Sequence, residues 1–141
     1  MCAPSLWLSD RGQVFPAARV LLSMDLTYVV ITILAALAYG YAACLNFVGA
    51  ESVKVVADKV QVSQEWMVPF GMLLASGAVG LLVGLAVPAL GTAAAIGLVV
   101  YFVCALSAHI RVRDPQIAGA VSFLVVAVAA LIAGLGYHDK L

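Results

Sequence analysis

Charge is what this sequence has least of. Seven Lys/Arg and seven Asp/Glu make up only 10% of its 141 residues, and they cancel. A soluble chain carries roughly 25% charged residues, so a water-exposed globule is excluded. Zero net charge, with no basic patch interleaved with aromatics, argues against nucleic acid as a partner. Cysteine is scarce too. Cys2, Cys44 and Cys104 form no CxxC, are too few for a disulfide framework, and lack the His/Cys spacing of a metal site. No GxxxxGKS, HExxH or GxSxG motif is present. No Asp, Glu, Lys or Arg falls in the middle of an apolar run. Pumps and ion-coupled transporters keep an ionisable group there, because a moving charge needs a protein ligand in low dielectric. That function class is therefore disfavoured.

What is present is apolar: 65% of residues, with a mean hydropathy of +1.15. The apolar residues gather into four runs, 26–48, 69–87, 92–110 and 116–137. A helix crosses the hydrocarbon core with about 20 residues, so each run is a candidate span. The expected fold is all-α: an integral membrane, antiparallel four-helix bundle with a short amphipathic helix between the first and second spans. Its compartment is a cell membrane, crossed several times.

Residues 1–25 read as a tail outside that domain, Pro-broken and without the apolar core or cleavage site of a signal peptide. Met24, followed by Asp25 and the first run, reads equally as an alternative start of translation. The stretch 51–64 is polar, but Val53, Val56, Ala57 and Val60 recur at helical spacing. A helix lying on the membrane surface fits that pattern, as does a lid over the bundle mouth. Lys54 and Asp58 suit an i, i+4 pair on its other side. Trp66 reads as an interfacial anchor and Pro69 as a first-turn residue.

Ser76, Gly80 and Gly84 repeat every four residues, as do Ala36, Gly40 and Cys44. Such stripes let helices approach closely in lipid, where packing replaces the hydrophobic drive. They are expected to face each other as the seam between the first two spans. Pro88-Ala89-Leu90-Gly91 reads as the turn of a tight hairpin joining the second and third spans. Arg11, Arg19 and Lys140 then lie on one side of the membrane, and Lys54, Lys59, Arg111 and Arg113 on the other. That near-balance does not orient the chain; a start at Met24 would turn the two long loops to the cytoplasm.

Two constellations could carry chemistry. Cys44 and Cys104 sit near the same end of the bundle and would make a thiol pair able to exchange electrons with a quinone. Each also suits plain packing, since buried cysteine behaves as a small hydrophobe. At the same end, Asn46, Glu51, Lys54, Trp66, Tyr101, His109 and Arg111 form a polar rim able to hold an anionic or quinone-like head group. Interfacial anchoring explains the same residues one by one.

The order of these features resembles a known family. Trp66-Met67-Val68-Pro69-Phe70-Gly71 precedes the Ser76–Leu85 glycine-rich stretch, a Pro-Xaa-Leu-Gly turn follows, and Tyr101-Phe102-Val103 leads to Ala108-His109-Ile110-Arg111. The pattern is similar to the DoxX-like family over residues 26–136. The resemblance implies a four-span bundle in the bacterial cytoplasmic membrane. It also implies links to a thiosulfate:quinone oxidoreductase, to oxidative-stress complexes and to membrane-protein assembly. It brings no catalytic motif. The leading expectation is an accessory or scaffolding subunit associated with a quinone-linked redox complex. The rivals are a quinone- or thiol-dependent electron-transfer subunit and a small lipid or metabolite carrier. Quinone is the one cofactor raised, and no metal is expected. The expected partners are the bilayer, a larger membrane complex and further copies of the chain.

Overall fold

The computed structural model describes the backbone of residues 11–138 and the side chains of residues 26–137. The expectations for residues 1–10 and for the charged end at Asp139 and Lys140 lie outside the described residues. Five helices follow in order: α1 (Arg11–Phe47), α2 (Glu51–Lys59), α3 (Met67–Val83), α4 (Pro88–Arg111) and α5 (Ala118–His138). A short 3-10 turn, Gln64–Trp66, leads into α3. Four stretches are long and apolar enough to cross a membrane: Leu26–Phe47, Gln64–Val83, Pro88–Arg111 and Ala118–Tyr137. The protein is therefore a multi-pass membrane protein built as an all-α bundle.

The spans form a ring. α1 packs on α3 and α5, and α4 packs on the same two helices. The interior is rich in alanine: Ala35, Ala36, Ala43, Ala78, Ala95, Ala127 and Ala130 are all buried, together with Leu74, Leu81 and Leu98. Many large apolar side chains point outward, among them Leu34, Leu37, Val79, Ile96, Val100 and Ile132. In water this would be inside-out. In lipid it is expected, since small residues let helices close up and large ones face the acyl chains. One aromatic knot fills the centre. Tyr39 is fully buried, its hydroxyl donates to the Phe123 carbonyl at 2.9 Å, and its ring lies 5.6 Å from Phe102 and 5.8 Å from Phe123. It joins α1 to the α4–α5 side of the ring.

Several sequence expectations shift. α1 is 37 residues long and begins at Arg11, so residues 11–25 continue the first span as helix where a Pro-broken tail was expected. Pro16 removes one backbone donor, and the helix runs through it. The α3–α4 turn comes earlier than expected: α3 stops at Val83, and Pro88 is the first residue of α4. Proline costs nothing at that position, where the N–H has no helical partner. It also forces the preceding residue out of the helical region, and Val87 is extended (φ −126°, ψ 92°).

The two small-residue stripes do not face each other. A Cβ placed on Gly84 would lie 2.2 Å from the Gly91 Cα, and one on Gly80 would lie 2.6 Å from the Ala94 Cβ. Gly80 and Gly84 thus serve the short hairpin to α4, whose turn forces backbone contact. Ser76 is exposed, as is Cys44, and Gly40 has open space where a Cβ would go. The α1–α3 contact includes Gly71, where a Cβ would lie 2.9 Å from the Phe47 ring and 3.2 Å from the Asn46 Cβ.

Candidate functional site

Three helices end alike at one end of the bundle. At the α1 terminus, Ala50 N–H donates to the Leu45 carbonyl and Gly49 N–H to Asn46, with Gly49 at φ 61°. At the α2 terminus, Val62 donates to Ala57 and Gln61 to Asp58, with Gln61 at φ 58°. At the α4 terminus, Asp114 donates to His109 and Arg113 to Ile110, with Arg113 at φ 53°. This is the Schellman reversal, which satisfies the last helical carbonyls and folds the chain back over its own helix.

The reversals position the site. The first two hold α2 across the bundle mouth, so that its apolar residues Val53, Val56, Ala57 and Val60 roof a cavity of about 260 Å³. Asn46, Tyr101, Cys104, Ala105, Ala108 and His109 line it from α1 and α4, and Met67 and Phe70 from α3. The third brings Asp114 onto His109, with carboxylate Oδ2 2.9 Å from ring Nδ1. Both side chains are more than nine-tenths buried. The other Asp114 oxygen accepts the Gln116 N–H at 3.0 Å, and the Gln116 side chain accepts from Lys59 of α2 at 2.6 Å. The Gln116 N–H above all, with His109 and Lys59 beside it, holds the Asp114 carboxyl below its ordinary value of 3.8; burial works the other way.

The carboxylate fixes the histidine. An ionised Asp114 only accepts, so Nδ1 carries the proton and Nε2 of a neutral ring is an acceptor. Protonation turns Nε2 into a donor. Among the described residues, Nε2 has no hydrogen-bond partner. The same is true of the Asn46 Oδ1 and the Tyr101 hydroxyl, whereas Asn46 Nδ2 donates to the Ala42 carbonyl at 2.9 Å. Three polar groups of different character therefore border an apolar cavity.

Of the rim residues expected from the sequence, Asn46, Tyr101 and His109 meet at this cavity. Lys54, Trp66 and Arg111 do not line it. Lys54 pairs with Glu51 at 3.9 Å, not with Asp58, which accepts from Gln64 at 3.2 Å. Trp66 is exposed and stacks on Phe70 at 6.0 Å, and Arg111 is exposed. Cys104 lines the cavity while Cys44 lies outside it, and both are free thiols. Asp114 is the residue sequence reasoning missed. Its signal was an Asp five positions after a histidine at a helix end and just before Pro115, where a reversal is common. Among the described residues, no group of three or more His, Cys, Asp or Glu could hold a metal ion.

No curated protein and no solved structure matches this chain. The sequence profile of the DoxX-like family, in contrast, matches residues 30–134. That range takes in the four apolar stretches from Val30 to Gly134, the roof helix and every residue of the cavity, so the chain belongs to the DoxX-like family.

Proposed function

We propose that this protein is an accessory subunit of a quinone-linked redox complex in the bacterial cytoplasmic membrane, and that its cavity holds a quinone head group. The observation that supports the reading is the pairing of an apolar cavity with three free polar groups on Asn46, Tyr101 and His109. Pockets for drug-sized ligands run to about 300–1,000 Å³; one of about 260 Å³ suits a single compact ring. A quinone supplies two-electron, two-proton redox chemistry when bound. The chain's own part is to bind, orient and handle protons. The Tyr101 hydroxyl is a donor for a ring carbonyl. His109 Nε2 is a donor when protonated and an acceptor when neutral, and Asp114 fixes the ring's orientation through Nδ1. The valine face of α2 keeps water from the ring. The thiol-pair rival draws no support from the geometry, since only Cys104 borders the cavity.

The test is purification from native membranes with solvent extraction of bound quinone, followed by quinone titration of the extracted protein. Trp66 reports binding by quenching, since it stacks on Phe70 of the cavity wall; a Trp66→Phe control identifies its signal. The expected result is co-purifying quinone, lowered by His109→Ala and Tyr101→Phe, together with a partner subunit in the native preparation. Absence of both bound quinone and quenching would remove the quinone reading. A protein that purifies alone would remove the accessory role.

A further inference from the structure

We propose that the open pocket where the end of α2 meets the α4–α5 loop is an oxyanion site that takes a phosphate group, and that the bound phosphate ties the roof helix to the loop. The pocket has a volume of about 340 Å³ and is lined by Lys59 and by residues 112–116. No residue lines both this pocket and the head-group cavity, so the site stands whether or not a quinone occupies that cavity.

The pocket wall holds one carboxylate and two cations, and only the cations are open. The Asp114 side chain is more than nine-tenths buried. One of its oxygens lies 2.9 Å from His109 Nδ1, and the other accepts the Gln116 N–H at 3.0 Å. Its charge is thus turned inward. Lys59 is exposed and gives one ammonium donor to the Gln116 side chain at 2.6 Å, which leaves two. Arg113 is exposed, and among the described residues its guanidinium has neither a hydrogen-bond nor an ion-pair partner. Asp58, beside Lys59 in the chain, accepts from Gln64 at 3.2 Å. Arg113 also holds the left-handed backbone position of its reversal, at φ 53°. Glycine takes that position without strain, so the turn itself has no need of the arginine side chain that lines the pocket.

Position supplies the ligand class. Arg111 ends the third apolar stretch, so residues 112–116 stand where that span leaves the hydrocarbon, at the depth of lipid head groups. A phosphate presents several acceptor oxygens, which a guanidinium fork and an ammonium can share. One cation comes from the roof helix. The other comes from the loop that carries Asp114 to His109. A phosphate held by both joins these two elements across the pocket.

The test reconstitutes the full chain in nanodiscs of phosphatidylcholine, with or without phosphatidylglycerol. Native mass spectrometry counts the phospholipid retained, and inorganic phosphate is titrated against the phosphatidylcholine discs as a soluble source, read by melting temperature. Two double variants remove equal charge: Lys59→Gln with Arg113→Gln in the pocket, and Lys54→Gln with Arg111→Gln outside it. The expected result is one retained phosphatidylglycerol, bound about tenfold or more weakly by the pocket variant and little changed by the other. The same pattern with inorganic phosphate alone would support the site and make its ligand a soluble phosphate compound. Equal losses in the two double variants would mean diffuse attraction to an anionic surface and would overturn the site. So would the absence of any response to both phosphatidylglycerol and inorganic phosphate. If the pocket double variant does not fold, Arg113→Gln set against Arg111→Gln makes the same comparison, and equal binding by these two would overturn the proposal.

Discussion

A single methyl group at Gly84 should loosen this bundle, while the same methyl at Gly40 should tighten it. The added Cβ at Gly84 would stand 2.2 Å from the Gly91 Cα, 2.8 Å from its nitrogen and 3.1 Å from the Gly80 oxygen. Carbon–carbon contact becomes comfortable near about 3.5 Å. The two backbones would therefore have to part by more than an ångström, and no side chain can swing away to spare them. Overpacking of this kind costs about 1–3 kcal/mol. At Gly40 the methyl meets nothing within 4 Å, and the exchange removes glycine from mid-helix, a gain of about 1 kcal/mol. The two variants should then differ by about 2–4 kcal/mol, or roughly 6–12 °C in melting temperature for a chain of this size. Gly91→Ala should fall between them, since its Cβ would lie 2.8 Å from the Gly84 Cα. Thermal denaturation in one detergent, followed by loss of the monodisperse peak, ranks all three. Equal melting temperatures for Gly84→Ala and Gly40→Ala would refute the assignment of Gly80 and Gly84 to the hairpin seam.

Further outcomes can be checked with the same protein. Tyr39→Phe should lower stability by about 0.5–1 kcal/mol, because it deletes the hydroxyl bond to the Phe123 carbonyl and keeps the ring packing; a larger loss would mean that the ring itself had shifted. Asp114 has a folded-state pKa below its ordinary 3.8. Its contribution is therefore fully present above that value and is lost as pH falls through the lower one. Melting temperature should hold down to about pH 4 and drop below it, and Asp114→Asn should abolish the drop; an unchanged drop in that variant would refute the assignment to Asp114. Gln61→Gly should stabilise the α2 terminus by up to about 1 kcal/mol, since it relieves a side chain held at φ 58°, read again as a rise in melting temperature. A decyl benzoquinone should protect Cys104 from a membrane-permeant maleimide and leave Cys44 reactive, as measured by mass spectrometry; equal protection would put the ligand elsewhere.

The spans, their number and their antiparallel order were legible because hydropathy and length report them directly. So was the gathering of Asn46, Tyr101 and His109, since each sits near a span end that the topology brings to the same face. Partner choice was less legible. A repeat at four-residue spacing says that Gly80 and Gly84 share a face, but not that the face meets α4. The deciding fact was the shortness of the turn between them, and the turn was misplaced by reading Pro88 as a helix stop when it is a start. Lys54 had acceptors on either side, Glu51 and Asp58, and side-chain reach within one turn of helix does not discriminate between them. Asp114 stayed hidden for another reason. Its role depends on a reversal in which Arg113, not glycine, takes the left-handed position, so the usual marker of that turn is missing.

The alanine interior has a consequence for the two halves of the bilayer. Helices drawn together over Ala35, Ala78, Ala95 and Ala127 leave little room between them at mid-depth, and the described cavity lies at the α2 end. The seam at the opposite end is shut by Gly84 against Gly91. On the proposed reading, a ligand in that cavity sits in the half of the bundle nearest α2, and the side opposite the Gly84–Gly91 turn is the one at which it is bound and released.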